Sequence, residues 1–426
     1  MKFQTPKGTR DFLPGDMSGR RKVVDSLVSV YELFGFGEWD GPAFEYLETL
    51  ICKSGENVIQ EIYSFKDKSG RDLGLRFELT ASIARIVANY SNFKKPFKVY
   101  GIGKVWRYER PQAGRFREFL QADTDIFGSP DMACEAELLV MAVMAIEKLG
   151  LKDYVILLNN RKILEAQLRT VGIGEDRKVS ALRALDKLSK IGEAGVISEF
   201  EKASIQAEKF SSLKKFINID GDNEKRLQTT EKLLSMDAKG KEGVNELREI
   251  VKLVESYGFV NVIEIDSSLV RGLDYYTGPI FEIRSKNKKD IGSFAGGGRY
   301  DELVELFGGR PTPAVGISFG IERLIEIISE DICKTKSSLP VKVFVACASK
   351  EIMPIVLSTV QKFRKAGIAS EYDLMGRSLG KQLSYVNANN IPYAFIVFSK
   401  DEQKLKDMAS GQENICPIEE AISRLS

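Results

Sequence analysis

The twelve residues Phe116-Arg117-Glu118-Phe119-Leu120-Gln121-Ala122-Asp123-Thr124-Asp125-Ile126-Phe127 decide the fold. Side chains alternate across a strand with period two, so an extended Phe116–Phe127 carries Arg117, Gln121, Asp123 and Asp125 on one face. Unpaired buried carboxylates are costly, which makes this row a poor hydrophobic core. Two readings stand: the face looks to solvent, or it looks onto a polar ligand. Upstream, Phe97–Arg107 reads as a second strand, with Arg107 and Glu109 sharing a face beside Trp106 and Tyr108. The connector Tyr108-Glu109-Arg110-Pro111-Gln112-Ala113-Gly114-Arg115 contains Pro and Gly and predicts a hairpin loop. Such a hairpin presents a cation and several acceptors on one side, suited to a zwitterion or a nucleotide.

Before the hairpin, Val23, Leu27, Tyr31 and Phe34 form one stripe of an amphipathic helix over Arg20–Phe34, which Gly35, Gly37, Gly41 and Pro42 break. Leu73, Leu75 and Phe77 alternate with Gly74, Arg76 and Glu78 as a half-buried strand. Thr80 is placed to cap a helix carrying Ile83, Ile86, Val87 and Tyr90. After it, Arg161–Ile250 holds 34 charged residues in 90 and only three aromatics, Phe200, Phe210 and Phe216, the texture of a small helical module. Strands return at Ile263–Ile265, Tyr276–Arg284, Ile291–Ala295 and Ala314–Phe319, so the first domain is interrupted and resumed. Beyond Pro340, strands at Val341–Ala346, Ala369–Tyr372 and Tyr393–Phe398 alternate with helices near Ile352–Lys365 and Leu379–Ala388, a small α/β domain.

Three further stretches carry chemistry. Phe294-Ala295-Gly296-Gly297-Gly298-Arg299-Tyr300-Asp301 reads as strand, glycine run and helix start; it is either a simple turn or a backbone cradle for phosphate. Arg271-Gly272-Leu273-Asp274-Tyr275-Tyr276-Thr277-Gly278 gathers a guanidinium, a carboxylate and two phenols before a strand. In Pro313–Leu324, strand and glycine turn lead into a helix with Arg323 in its first turn. A helix favours cations at its other end, so that position points to a nearby anion.

Composition sets the outer bounds. At roughly 100–200 residues per domain, a chain of 426 residues makes two to four domains, and 43% hydrophobic with 29% charged residues is ordinary globular usage. The longest apolar run, Leu138–Ile146, is far short of the roughly 18 residues of a membrane span. No apolar leader follows Met1, and the expected location is the cytoplasm. Five scattered cysteines without a CxxC pair argue against both a disulfide framework and a zinc ribbon. The chain contains no histidine, which removes Ser-His-Asp and Cys-His nucleophile systems, HExxH zinc sites and imidazole bases together. A net charge of +2 gives no global signal for nucleic acid, so any polyanion must be met by local patches.

Val105–Gln112 with Gly114–Phe119, RGLDYYTG at 271–278, AGGGRYD at 295–301 and PAVGISFGIERL at 313–324 resemble, in this order, the motifs of the histidyl-tRNA synthetases, class II aminoacyl-tRNA synthetases. The likeness runs from residue 5 to about 330, and the terminal α/β module is similar to the family's anticodon-binding domain. The resemblance implies an α+β fold: an antiparallel sheet of six main strands with flanking helices, a helical insertion domain and a C-terminal α/β anticodon-binding domain. Catalytic residues 1–160 and 256–330 would enclose an insertion at 161–255, with a linker at 331–340 and the terminal domain at 341–426. It further implies a homodimer built partly on Phe36–Phe44, with ATP, L-histidine and histidine tRNA as substrates and Mg²⁺ accompanying ATP rather than held in a protein cage.

Carried over residue by residue, the resemblance implies that Arg107 and Arg271 bind the α-phosphate and the reacting carboxylate. Glu109 then approaches the adenosine, and Arg323 the adenine or γ-phosphate. Glu78 and Thr80, flanking Leu79, would hold the α-amino group with Gln121; Asp125 and Tyr276 would read the imidazole, with Tyr275 and Tyr300 lining the pocket. For tRNA it implies Gln112 and Arg115 at the acceptor end and a patch including Lys350, Arg377 and Lys381 on the terminal module, where an ordinary solvated surface is the alternative. Two departures stand out: Arg-Phe-Glu-Leu-Thr at 76–80 replaces a common Arg-Pro-Glu-Gly-Thr, and Asp125 stands where many members have glutamate, so its contact is shorter or water-bridged. The main competing reading is a noncatalytic, synthetase-like regulatory subunit of ATP phosphoribosyltransferase. Such paralogues lack the terminal module and parts of the catalytic set; here the module and Arg107, Arg271 and Arg323 are all present.

Overall fold

Strand register places the functional residues. In the computed structural model, which describes residues 3–52, 59–90, 92–110, 115–271, 275–328 and 340–426, the strands in chain order begin with β1 (Gly37–Glu38), β2 (Phe44–Tyr46), β3 (Ser64–Lys66) and β4 (Asp72–Leu75). They continue with β5 (Phe97–Trp106), β6 (Glu118–Phe127), β7 (Tyr154–Asn160), β8 (Ile263–Ile265), β9 (Pro279–Ser285), β10 (Ser293–Arg299) and β11 (Ala314–Gly320). The main sheet runs β1-β5-β6-β11-β10-β9-β7-β8. Its six inner strands are antiparallel throughout, and the short outer strands β1 and β8 pair in parallel. A separate three-stranded sheet orders as β2-β4-β3.

One face of the main sheet is apolar. Ala122 and Ile126 of β6 and Val315, Ile317 and Phe319 of β11 are buried there, and the helix Ala133–Lys148 packs on β11. That helix is apolar nearly all round its middle, because the helix Ala238–Ser256 covers its other side. The Leu138–Ile146 run is thus a core helix. Glu135 in this helix makes a two-pronged ion pair with Arg299 of β10, at 2.6 Å and 2.7 Å, both side chains buried. Arg299, in the glycine-rich motif, is therefore a structural tie between helix and sheet.

Between β7 and β8 the chain is entirely helical, from Arg161–Thr170 to Ala238–Ser256. These two outer helices pack on each other and on β7, and residues 23–329 form one compact unit. The helix expected at Arg20–Phe34 spans Pro14–Leu33, with Val23, Leu27 and Tyr31 fully buried, and Gly35 ends it at φ +76°. Thr80 is not a side-chain cap: the helix is Thr80–Asn89, Leu79 occupies the cap position and no side chain bonds the free amides.

The terminal unit adds β12 (Val343–Cys347), β13 (Ser370–Tyr372), β14 (Tyr393–Val397), β15 (Gln403–Asp407) and β16 (Glu413–Ile415), ordered β13-β12-β14-β15-β16. The first three strands are parallel and the last two antiparallel. Val343 and Val345 pack with the helices Met353–Lys365 and Ile418–Leu425, whereas Phe344 and Ala346 pack with Leu379–Ala388. Burial on both faces explains the unbroken apolar run of β12.

Glu135→Ala strips the buried Arg299 of its two-pronged partner and leaves it Asp301 at 3.3 Å and the carbonyls of Ser129 and Asp131. We expect a loss of about 3–5 kcal/mol in urea unfolding, with a smaller loss for Glu135→Gln.

Candidate active site

The sheet face opposite the core helix holds the polar row, and it is closed to solvent. Gln121, Asp123 and Asp125 are 7%, 3% and 2% exposed, which removes the solvent-facing reading. What covers them comes from three other segments. Glu78 is buried just before the helix Thr80–Asn89, next to Leu79, and accepts a hydrogen bond from Tyr275 Oη at 3.2 Å. Thr80 bonds the same tyrosine. The Tyr300 hydroxyl donates to Asp125 Oδ1, and the rings of Tyr275, Tyr276 and Tyr300 pack at centroid distances of 4.8 Å and 5.7 Å. Asp125 thus bonds Tyr300 directly, and Tyr275 and Tyr276 follow from Tyr300 through ring contacts.

The three glycines of the AGGGRYD motif do not form a turn or a phosphate cradle. They lie within β10, paired on both sides, and they create room. A Cβ on Gly296 would fall 2.4 Å from Arg271 Nη1, one on Gly297 1.9 Å from the Gly316 carbonyl, and one on Gly298 2.9 Å from the Tyr276 ring. Gly316, opposite Asp125 in register, would carry its Cβ 2.0 Å from Asp125 Oδ1.

Above the carboxylates opens a cleft lined by Arg107, Arg115, Arg271 and Arg323 among others. Arg107 Nε donates to the Phe77 carbonyl at 2.9 Å, its guanidinium lies over Phe119, and among the described residues it makes no ion pair. Arg271 Nη1 donates to Glu282 Oε1 at 3.1 Å, and Arg323 Nη1 donates to the Ser293 carbonyl at 2.8 Å. Burial, then the like charges of Arg115 and Arg107, pulls Arg323 below its usual value. Clustered, mutually repelling guanidiniums are stabilised by an anion. Arg115 pairs with Glu109 across the mouth. Gln112 lies outside the described residues.

On the terminal unit, Arg377 stacks over the Tyr385 ring at 4.3 Å and lies 3.6 Å from Asp373. Lys350 reaches toward Gly376, and Lys381 is exposed on the helix Leu379–Ala388.

A row of cations above buried carboxylates and phenols matches the ordered motifs of one enzyme family, and the comparison with known proteins decides it. Residues 8–324 match the family model for histidyl-tRNA synthetase, and residues 342–426 that for an anticodon binding domain. The chain belongs to the histidyl-tRNA synthetase family. A histidine–tRNA ligase from Pyrococcus furiosus is 35% identical over 98% of this chain and 97% of its own length. The crystal structure of histidyl-tRNA synthetase from Nostoc sp. superposes with a TM-score of 0.85 at 31% identity, covering 100% of this chain and 99% of that one. A Bacillus halodurans structure titled as an ATP phosphoribosyltransferase regulatory subunit/histidyl-tRNA synthetase has a TM-score of 0.77 over 93% of this chain and 97% of that one; at 24% identity it shares the fold.

Within this family frame, sequence reasoning missed the supporting groups. Glu282 orients Arg271, and Ser318, two strands from Glu282 in the sheet order, accepts from Gln121 Nε2 at 3.0 Å. Their signal was available: Glu282 and Ser318 both pair with Gly296 in register. It becomes legible only once the pairing is known.

Burial raises Glu78 to about 7 against the pull of Arg107 and Tyr275. Burial likewise raises Asp125 to about 7; the Tyr300 hydroxyl opposes it and the Glu78 charge adds to it. A carboxyl raised in the folded state contributes stability that is full below its unfolded value and is lost as pH rises through its folded value. The window for both groups is therefore about pH 4 to 7. Asp125→Asn, permanently neutral, should be more stable than wild type at pH 8 by on the order of 1–3 kcal/mol, the gap narrowing below about pH 7 and closing near pH 4 in urea titrations.

Proposed function

We infer that this chain is a histidine–tRNA ligase: it activates L-histidine with ATP, releasing pyrophosphate, and passes the histidyl group from the adenylate to the 3′ end of histidine tRNA. The observation that carries the reading is the mouth of arginines set directly over buried carboxylates, a site for a zwitterion joined to a polyphosphate. Family membership over the whole chain supports it.

In the first step a carboxylate oxygen of histidine bonds to the α-phosphorus while the bond to pyrophosphate breaks. The nucleophile is already an anion, so no protein base is needed, and a chain without histidine is equipped for it. Arg107 and Arg271 hold the α-phosphate and that carboxylate, placing fixed charge where negative charge develops. Arg323 takes the adenine or γ-phosphate and Glu109 the adenosine. Glu78, Leu79 and Thr80, with Gln121, surround the α-amino group; Asp125 and Tyr276 pair the two imidazole nitrogens between Tyr275 and Tyr300. A site that satisfies both nitrogens rejects analogues lacking them, because its own polar groups would be left unpaired.

Mg²⁺ would enter with ATP, bound mainly through phosphate oxygens. Glu109 and Glu322, the carboxylates lining the cleft, are the groups able to share it. Arg115 and Gln112 face the tRNA acceptor end in this reading, and Lys350, Arg377 and Lys381 meet tRNA on the terminal unit. A homodimer through the Phe36–Phe44 region is supported by the exposed rings of Phe44, Tyr46 and Phe65. No helix among the described residues is long and apolar enough to cross a membrane, and the cytoplasm is the proposed location.

The test is amino-acid-dependent ATP–pyrophosphate exchange with each of the twenty amino acids. Histidine alone should support exchange; no exchange from folded protein would transfer the case to a noncatalytic histidine-binding subunit. Arg271→Ala should lower the exchange rate by ~10²-fold or more with unfolding unchanged. Asp125→Ala should raise the KM for histidine ~10-fold or more and leave that for ATP within about twofold.

A further inference from the structure

Asp123 is the one carboxylate of the polar row that the reading above leaves without a task. It lies between Gln121 and Asp125 on β6, opposite Gly101 of β5 and Ser318 of β11. The Ser318 hydroxyl accepts from Gln121 Nε2 at 3.0 Å and bonds Asp123. Gln121 and Ser318 both line the cleft, so one hydroxyl links the buried aspartate to the ligand space.

The remaining oxygen, Asp123 Oδ1, is buried with no hydrogen-bond partner among the described residues, as are Gln121 Oε1 and Asp125 Oδ2. Three unfilled acceptors on alternate residues of one strand are expensive unless a ligand brings donors. Among charged groups, Glu78 and Asp125 repel Asp123, while Arg107 and Arg76 attract it. Neither arginine is committed to it: Arg76 bonds the carbonyls of Lys104 and Gly41, and Arg107 that of Phe77. Two neutral donors, Tyr31 Oη, near enough to feel the Asp123 charge, and Trp39 Nε1, whose ring fills the space over Gly101, are also buried without partners among the described residues.

The surplus of carboxylates calls for a cation. Of the substrate's groups only the α-ammonium is reliably cationic at neutral pH, because imidazole titrates near 6.5. We propose that Asp123 is a further substrate-binding residue, an anionic anchor for the α-ammonium group that adds the charge Gln121 lacks. This rests on histidine being the substrate. The rival role is purely structural: Asp123 would hold a buried water shared with Tyr31 and Trp39, indifferent to the ligand's amino group.

The two roles separate in a ligand comparison. Calorimetric binding of L-histidine and of 3-(imidazol-4-yl)propionate, the same molecule without its amino group, is measured on full-length wild type and Asp123→Asn. The substitution keeps the size of the side chain and removes its charge. We expect histidine to weaken at least ~10-fold and the desamino ligand less than about twofold, a coupling that belongs to the ammonium. Equal weakening of both ligands, or no weakening of histidine, overturns the proposal while leaving the substrate reading intact. Failure of wild type to bind histidine overturns both. Should Asp123→Asn not fold, Asp123→Ser, which keeps a hydrogen-bonding group and removes the charge, carries the same comparison. It is expected to weaken histidine several-fold and to spare the desamino ligand.

Discussion

Everything in the site depends on the close approach of side chains to bare backbone on one face of the sheet. Gly101, Gly103, Gly296, Gly298 and Gly316 share that face by register. Each has an atom of Trp39, Arg76, Arg271, Tyr276 or Asp125 within 2.0–2.9 Å of where a Cβ would sit. Glycine in a strand interior gives up packing and backbone entropy. Here the loss creates the depth into which charged and aromatic groups descend, so the polar pocket lies inside a structure whose opposite face is ordinary core. Arg271 can lie flat on the sheet only because the surface beneath it is smooth.

How much of this was legible follows from what period-two patterning records. Parity on Phe116–Phe127 placed Gln121, Asp123 and Asp125 together, and the Pro313–Leu324 pattern placed Arg323 at a helix start; both depend on neighbours a few residues away. Whether the polar row met solvent or a lid could not be read, because alternation looks the same for either. The glycine run misled for a related reason: three glycines mark a turn as readily as a close approach, and the intruding Arg271 and Tyr276 come from another strand's approach. The Glu135–Arg299 tie joins residues 164 apart in the chain. The strands β15 and β16 left little trace because Leu405 is their single buried apolar side chain.

The pocket is also a place where stability is given up. Glu78, Asp123 and Asp125 all sit in surroundings that favour their neutral forms, chiefly through burial. In the proposed reading a cationic group entering among them reverses that preference, so the cost of burying these carboxylates becomes part of binding a zwitterion. The arginines of the mouth stand in the complementary situation, with like charges pressing on Arg323 until an anion relieves them. In that reading one substrate end answers each imbalance.

The pairing of β6 with β11 has a consequence in time. Thr124 and Ile317, bonded across these central strands, are 193 residues apart, and the whole helical segment lies between them. At a synthesis rate of roughly 5–20 residues per second, the two halves of the pocket leave the ribosome about 10–40 s apart. Through that interval the β5–β6 hairpin exists with one hydrogen-bonding edge unclaimed, the condition that invites pairing with the wrong strand. The acidic side chains and glycines that later build the pocket occupy that same ribbon. A stretch bearing Gln121, Asp123 and Asp125 is charged and poorly adhesive, which keeps the waiting edge from finding a neighbour before β11 arrives.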